Sequence, residues 1–322
     1  MSYLDQFQLK DDTRYIYTFF VWTASNCAPN RDGGTGEIRV DSKRRVFTTQ
    51  ECFNQNIKNG IFFASKAGRL PEDCGAELLG CKNAHFQTTT LQKAQLDLIE
   101  RIANITDKKT DELETEDIFK YCFDIPLLGL VNSNGVDKSK YPVFDFKSVT
   151  GSAGLIYLPK TVTPVSLDNR GISNSFAQKE GGMPGSHYTD YLEEGVFSCL
   201  GFFNVAQLEM IAERVFRVTD KKVIHDRIEE LYHLYLTGIW EGFKLLGYAS
   251  VLRKGQQPFS LSCAQKTELP DYISDPADIL MNNKRLPLHD SFEKTITAFE
   301  EAIAPWKENI SKDWQTIKKT EL

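Results

Sequence analysis

The chain has 322 residues, of which 41% are hydrophobic and 25% are charged, and its formal net charge is -6 at pH 7. These values are ordinary for one large or two small globular domains, which can bury a core without disulfides or a structural metal. The negative net charge excludes a surface that is basic throughout, so any nucleic-acid site must be a local basic groove.

The cysteines and the apolar segments indicate the compartment. The seven cysteines are odd in number and form no Cys-x-x-Cys motif, which favours a reducing environment. No apolar run reaches the roughly 18 residues of a membrane span, and residues 5–14 are too polar for a signal peptide. We therefore expect a cytoplasmic protein with no membrane partner.

The first part of the chain predicts a strand, a long loop and a short helix. Residues 15–22 are aromatic and β-branched, which favours a buried strand. Residues 25–45 have no periodicity and predict a long loop, a feature that is usually functional or disordered. The capping box at residues 48–51 predicts a short helix that Gly60 ends, and residues 61–63 predict a second short strand.

The middle of the chain alternates between helices and strands. Amphipathic spacing predicts helices over residues 91–105 and 114–123, and apolar runs predict strands over 127–131 and 147–163. Residues 164–190 are rich in glycine and lack a core pattern, so they predict a protruding β-hairpin or a flexible arm.

The last part of the chain predicts a strand over residues 195–204, helices over 206–217 and 222–246, and a last strand over 248–252. A further amphipathic helix near the C-terminus ends at Pro305. This order of elements predicts an α+β domain with an antiparallel sheet and helices on one face. A ferredoxin-like, RRM-type core with large insertions fits that order.

The loop and helix after the first strand have the composition of an anion-binding site. Between residues 31 and 45 the loop carries five basic residues against three acidic ones. The basic residues are Arg31, Arg39, Lys43, Arg44 and Arg45. Gln50, Asn54 and Lys58 are spaced four apart on the helix, whose N-terminus itself attracts anions. These groups suit the phosphate backbone of a nucleic acid, and a solvated surface loop is the alternative.

The arm over residues 164–190 combines polar, basic and apolar side chains. These are Arg170, Phe176, Lys179, Met183, His187 and Tyr188. Apolar side chains on a polar arm can wedge between stacked bases. A contact between subunits is the alternative, and the two roles are compatible.

A metal site or a catalytic site has little support. Cys74, Cys81 and His85 would need Cys52 or Cys122 as the fourth ligand of a zinc ion, and their spacing is atypical. We therefore predict no metal and no other cofactor, with zinc as the minor alternative. The sequence offers no evident Ser-His-Asp or Cys-His arrangement either.

Three segments, in their order and spacing, resemble one known family. They are residues 28–60 (APNRDGGTGEIRVDSKRRVFTTQECFNQNIKNG), 123–129 (FDIPLLG) and 154–204, the last ending in Gly-Phe-Phe-Asn. The chain resembles the backbone protein of type I CRISPR Cascade complexes, the "Cas-seven" family of the RAMP superfamily. The similar branch is that of subtypes I-B and I-C or of a minimal I-F variant. The resemblance covers about residues 12–250.

The resemblance implies an RRM-like palm over residues 12–63 and 118–255, an inserted finger or helical region over 64–117 and a thumb hairpin over 164–190. Residues 256–322 would be a C-terminal helical extension. Such subunits are not enzymes, and they polymerise into a helical filament along the spacer of the CRISPR RNA. The thumb kinks that RNA so that target DNA can pair with it. The implied partners are CRISPR RNA, target DNA through the RNA, copies of the chain and other Cascade subunits.

The resemblance also implies contacts to RNA phosphates for one group of residues, namely Arg39, Gln50, Asn54, Lys58 and Lys160. Phe176 or Met183 would be the wedge of the thumb. The family's basic positions in the helix are here Asn-Gln-Asn at residues 54–56, and a family arginine is here Pro126. These departures shift the predicted phosphate contacts to Lys-Arg-Arg at residues 43–45.

Two other functions stay open on the sequence. The related type III backbone proteins are metal-dependent RNA endonucleases that use a loop aspartate, and Asp32 or Asp41 would be the candidate here. The other alternative is a structural oligomer that binds no nucleic acid.

Overall fold

The computed structural model describes residues 7–24, 50–68, 99–131, 145–159, 170–173, 186–189, 195–242, 257–270 and 292–318. The strands in these residues are β1 (Tyr15–Ala24), β2 (Gly129–Val131), β3 (Asp145–Lys147), β4 (Thr150–Pro159), β5 (Arg170–Ser173), β6 (Ser186–Thr189), β7 (Gly195–Asn204), β8 (Gln257–Lys266) and β9 (Gln315–Lys318). The helices are α1 (Gln50–Lys66), α2 (described over 99–106), α3 (Thr115–Tyr121), α4 (Asp124–Leu128), α5 (Val205–Arg214), α6 (Lys221–Gly242) and α7 (Phe292–Ile310). None of these helices is both long enough and apolar enough to cross a membrane.

Five strands form one antiparallel sheet in the order β4-β7-β1-β8-β9. Strand β1 lies at its centre, where Tyr17 pairs with Phe202 of β7 and with Ala264 of β8. Two short antiparallel ladders, β2–β3 and β5–β6, form separately. The predicted α+β class with an antiparallel sheet is confirmed.

Strand β1 is buried on both of its faces. Thr18 lies on the face that packs against Phe53 of α1 and Tyr235 of α6. Phe19, on the opposite face, packs against Trp306 of α7 with 5.7 Å between the ring centroids. Helices therefore lie on both faces of the sheet, and not on one face as predicted. The continuous apolar run of β1 is the sequence feature that fits burial on both sides.

Helix α1 continues through Gly60, so the predicted helix end at Gly60 and the predicted strand over residues 61–63 are both wrong. Gly60 lies where α1 meets α6, and a Cβ there would lie 2.3 Å from the carbonyl oxygen of Gly238. A Cβ on Gly242 would lie 1.9 Å from the carbonyl oxygen of Asn56. These glycines allow the two helix backbones to approach closely, and that packing outweighs the low helix propensity of glycine.

Helix α7 continues through Pro305, which was predicted to end it. Proline removes one backbone donor and crowds the preceding turn, which normally breaks a helix. Here Ile303, Trp306 and Ile310 are at most 3% exposed, so buried side chains hold the helix on both sides of the proline. Tertiary packing explains the difference.

The C-terminal part of the chain supplies two strands to the main sheet. Strand β8 pairs with β1, and β9 pairs with β8. Residues 256–322 were predicted as a helical extension. They contribute two strands of the main sheet, β8 and the edge strand β9, as well as helix α7. The strand predicted over residues 248–252 lies outside the described residues, and β8 was missed, although its Leu261 and Cys263 alternate with serines.

Candidate nucleic-acid interface

Most of the residues predicted to bind RNA lie outside the described residues. These are Arg31, Arg39, Lys43, Arg44, Arg45, Lys160, Phe176, Lys179 and Met183. Three others have described backbone positions: Gln50 is the first residue of α1, Arg170 the first of β5, and His187 lies within β6. The described residues thus include the helix and part of the predicted arm, but they do not include the basic loop.

The predicted hairpin is present as the ladder β5–β6. Arg170 pairs with Thr189, and Ile172 pairs with His187, in antiparallel register. The ladder belongs to neither the main sheet nor β2–β3. The chain enters it after β4 and returns from it to β7, which are neighbouring antiparallel strands of the main sheet. The described residues of the predicted arm are thus two paired antiparallel strands.

Lys58 is a core residue and does not face solvent. Its Nζ lies 2.9 Å from Oδ2 of Asp124, and the two side chains are only 8% and 5% exposed. The Sγ of Cys122 donates a hydrogen bond to the other carboxylate oxygen of Asp124 at 2.9 Å. Because this pair is enclosed and neutralised, Lys58 is not placed to contact an RNA phosphate. The prediction for Lys58 is corrected on that ground.

Asn54 is also occupied inside the protein. Its Oδ1 accepts a hydrogen bond from Oγ1 of Thr150 at 2.9 Å, and that hydroxyl is 2.8 Å from Oγ of Ser148. Asn56, on the same stretch of helix, is 6% exposed. The spacing of Asn54 and Lys58 did predict one shared helix side, but that side faces β4 and α4. The packing of Asn54 and Asn56 also explains why these two positions are not basic.

The described part of the chain contains three buried cysteines that form no disulfide, namely Cys122, Cys199 and Cys263. Burial raises the pKa of the Cys263 thiol to about 12, opposed by its hydrogen bond to Tyr232. Within the described part of the chain, no three His, Cys, Asp or Glu side chains cluster as metal ligands. Cys74, Cys81 and His85 lie outside it, and Asp32 and Asp41 do so as well.

An aromatic cluster, Tyr15, Tyr17 and Phe202, lies on the sheet face opposite α1 and α6. The rings of Tyr15 and Phe202 are near parallel, with an interplanar angle of 17° and 6.2 Å between centroids. The ring of Tyr17 is 5.3 Å from that of Phe202. Tyr15 and Phe202 are half-buried, whereas Tyr17 is 3% exposed. Burial, with a smaller contribution from Tyr15, raises the pKa of Tyr17 to about 12.

Lys307 lies further along the same face, between aromatic rings. Its Nζ is 4.9 Å from the ring centroid of Trp314 and 5.6 Å from that of Phe19. It donates a hydrogen bond to Oγ of Ser262 at 2.8 Å. Burial lowers the pKa of Lys307 to about 8, although Glu300 opposes the shift. Lys307 is therefore enclosed in the contact between α7 and the sheet.

A cleft of about 550 Å³ opens where the start of β1 meets α5 and α6. Its walls hold two ion pairs, Arg14 with Glu209 and Lys221 with Glu213. Because carboxylates accompany the cations, the cleft does not have the uniformly basic lining that suits a phosphate backbone.

No protein-family model and no curated protein matches the chain. Among solved structures, it is similar to a chain of "CRISPR RNA-guided surveillance complex, pre-nicking", at 11% identity and a TM-score of 0.49, covering 95% of this chain and 92% of that one. A chain of "CRISPR RNA-guided surveillance complex" is similar at 10% identity and a TM-score of 0.44, covering 94% of this chain and 87% of that one. The structural neighbours of this chain thus include chains of CRISPR RNA-guided surveillance complexes.

Proposed function

We propose that the chain is a non-catalytic backbone subunit of a type I CRISPR surveillance complex, and that it polymerises along CRISPR RNA. The observation that carries the proposal is the hairpin β5–β6, inserted between the neighbouring strands β4 and β7. The resemblance of segments 28–60, 123–129 and 154–204 implies a thumb hairpin at this point of the chain. The paired strands β5 and β6 therefore support the proposal.

The main sheet supports an RRM-like palm. Along the chain, β1, α1, β4, β7, α6 and β8 follow the order βαββαβ of a ferredoxin-like fold. Their strands take the spatial order β4-β7-β1-β8, and α1 and α6 pack on one face. In this scheme residues 67–117 are inserted between the first helix and the second strand of the palm, because residues 64–66 of the predicted finger region are the end of α1. Helix α7 and strand β9 are added after the last strand of the palm.

The proposed RNA contacts are those that the structure leaves possible. We remove Lys58 and Asn54 from the proposed contacts because both side chains bind other residues inside the protein. The phosphate contacts then rest on Gln50 at the start of α1 and on the cations of the loop and the thumb. These cations are Arg31, Arg39, Lys43, Arg44, Arg45, Lys160, Arg170, Lys179 and His187. Such contacts hold an RNA strand in register and leave its bases free for pairing with target DNA.

The thumb would complete the site of a neighbouring copy. Phe176 or Met183, which follow β5 and precede β6 in the sequence, would wedge between stacked bases and kink the RNA. Repetition of this contact along the RNA makes a filament, and other subunits of the complex would close its ends.

The experiment is purification of the full chain, expressed together with a CRISPR RNA, at moderate salt. We expect co-purifying RNA, a 260/280 nm absorbance ratio above that of bare protein, and oligomers that dissociate on ribonuclease treatment. The mass from light scattering before and after ribonuclease measures this dependence. Protein that is free of RNA and still oligomeric would instead support the structural oligomer.

A cleavage assay tests the non-catalytic part of the proposal. RNA complementary to the bound guide is incubated with the complex and Mg²⁺. We expect it to remain intact. Cleavage that is lost in Asp32→Ala or Asp41→Ala would contradict the proposal and favour the endonuclease.

A further inference from the structure

We infer that successive copies of the chain contact each other through two segments of opposite charge, a basic corner on one copy and an acidic turn on the next. The basic corner is residues 214–222, from the end of α5 to the start of α6. The acidic turn is residues 107–114, between α2 and α3. This inference rests on the proposed polymerisation along RNA and names the surfaces that would join neighbouring copies.

The basic corner carries cations that no carboxylate of the same chain neutralises. Its charged residues are four cations and one carboxylate, namely Arg214, Arg217, Lys221, Lys222 and Asp220. Lys221 forms an ion pair with Glu213. The Oδ1 of Asp220 accepts a hydrogen bond from the backbone N–H of Lys222 at 2.9 Å. Arg214, Arg217 and Lys222 are exposed and have no ion pair among the described residues.

The acidic turn has the opposite charge. It holds four carboxylates and two lysines, namely Asp107, Asp111, Glu112, Glu114, Lys108 and Lys109. The two lysines pair with Asp117 and Glu112, and Glu114 takes part in the capping box of α3. Asp107 and Asp111 are exposed, and neither forms an ion pair within the part of the chain that the structure describes. Each segment therefore has charges left for a partner.

The stability of the helices does not explain two of these charges. Lys222 lies in the first turn of α6, where the positive end of the helix dipole disfavours a cation. Asp107 directly follows α2, where the negative end of the helix dipole disfavours a carboxylate. Both charges are unfavourable in the isolated chain, and an oppositely charged surface would offset that cost.

The backbone also distinguishes the two segments. Asp107 and Arg217, with φ of 54° and 59°, are the two non-glycine residues with positive φ among those described. Each of them follows a helix, where glycine is the usual residue because it adopts this conformation without steric cost. Aspartate tolerates the left-handed region, whereas arginine rarely adopts it. Each segment thus keeps a charged side chain where local structure favours glycine.

The two segments adjoin within one subunit without neutralising each other. The Oγ1 of Thr115 donates a hydrogen bond to the carbonyl oxygen of Phe216 at 2.9 Å, which ties the start of α3 to the basic corner. Among the described residues, no ion pair joins the corner to the turn. The acidic turn would repel an RNA strand lying on the corner, so RNA fits this surface poorly. A second copy offers both charges, and a contact between unlike patches can repeat from copy to copy.

The test is charge reversal in the full chain, freed of cellular RNA by ribonuclease and high salt. Synthetic spacer RNA is used in two lengths, one that binds a single copy and one that binds several. Anisotropy yields Kd on the short RNA, and mass photometry counts the copies on the long RNA. We expect Arg214→Glu with Arg217→Glu to weaken the cooperative binding of further copies roughly 5- to 150-fold. Its Kd for the short RNA should equal that of the wild type.

A second variant makes the pairing itself testable. Asp111→Lys with Glu112→Lys should also lose cooperative binding, because the turn then repels the unchanged corner. An equal mixture of the two variants should fill the long RNA as the wild type does. In the mixture, the reversed corner meets the reversed turn, and the unchanged corner meets the unchanged turn.

Lys147→Glu with Lys312→Glu is the matched control. It changes the net charge as much as the basic-corner variant does, and both lysines are exposed and lie outside the two segments. This control should fill the long RNA as the wild type does.

The outcomes separate this inference from the proposed function. Wild-type protein that binds no RNA, or that places one copy on each RNA whatever its length, overturns both. Variants that fill the long RNA as the wild type does, or a mixture that fails to restore assembly, overturn the contact alone. Weaker binding of the short RNA by the basic-corner variant also overturns it, because the corner would then be a phosphate site.

If the variants fail to fold, carbodiimide crosslinking of the wild type on the long RNA decides. A mixture of ¹⁴N- and ¹⁵N-labelled chains identifies the crosslinks that join two copies. Crosslinks between copies from Lys221 or Lys222 to Asp107 or Asp111 support the contact. Crosslinks between copies that are confined to other residues overturn it.

Discussion

The buried ion pair of Lys58 and Asp124 yields the sharpest prediction. Both side chains are less than a tenth exposed and their charged atoms are 2.9 Å apart. Replacing Lys58 by methionine keeps the apolar stem but leaves the carboxylate of Asp124 buried without its cation. The loss of one partner of such a pair costs about 3–5 kcal/mol. Since the free energy of unfolding of a domain is about 5–15 kcal/mol, Lys58→Met should remove a large part of it.

Urea unfolding at neutral pH measures this loss. The double variant Lys58→Met with Asp124→Leu should regain most of the lost stability, because no isolated charge remains in the core. Lys120→Met is the control, because Lys120 pairs with Glu116 at 2.6 Å but is 41% exposed. It should cost at most about 1 kcal/mol. RNA affinity of the folded Lys58→Met protein should equal that of the wild type. A small stability loss combined with weaker RNA binding would refute the placement of Lys58 in the core.

Three further outcomes are expected. Gly238→Ala should destabilise the protein by about 1–3 kcal/mol in urea unfolding, because the new Cβ would lie 2.6 Å from the carbonyl oxygen of Ile57. In an unobstructed helix the same change would stabilise by about 0.5–1 kcal/mol, so the sign of the effect is the test. The pKa of Lys307 falls from 10.5 to about 8 on folding. Between pH 8 and pH 10.5 the unfolded chain therefore binds more protons than the folded protein. The contribution of Lys307 to the free energy of unfolding consequently rises with pH over this window. Wild type should therefore gain stability relative to Lys307→Met between pH 8 and pH 10, measured by urea unfolding of both proteins, and parallel pH curves would contradict the buried position. Arg44→Ala with Arg45→Ala should lower the salt slope of RNA binding by about two, one for each lost phosphate contact, and an unchanged slope would place the basic cluster elsewhere.

The elements that the sequence predicted correctly are those whose signal is local. Strands β1, β4 and β7 each contain a run of apolar residues, and helices α5 and α6 repeat apolar residues every three to four positions. Asn204 caps α5 by accepting a hydrogen bond from the backbone of Gln207, a signal that lies within four residues of chain. Such patterns need no knowledge of distant partners. The glycines and the missing core pattern of residues 164–190 predicted a protruding hairpin or a flexible arm, and β5 and β6 lie within those residues.

The sequence by itself determined the α+β class and the presence of strands β1, β4 and β7. Tertiary structure decided what depends on a partner far along the chain. Gly60 does not end its helix because Gly238 lies against it, and Pro305 does not end its helix because Ile303 and Trp306 are buried on both sides of it. Lys58 faces inward because its ammonium forms an ion pair with the buried carboxylate of Asp124. Helical spacing predicts which residues share a side of a helix, but only packing decides whether that side meets water or the core.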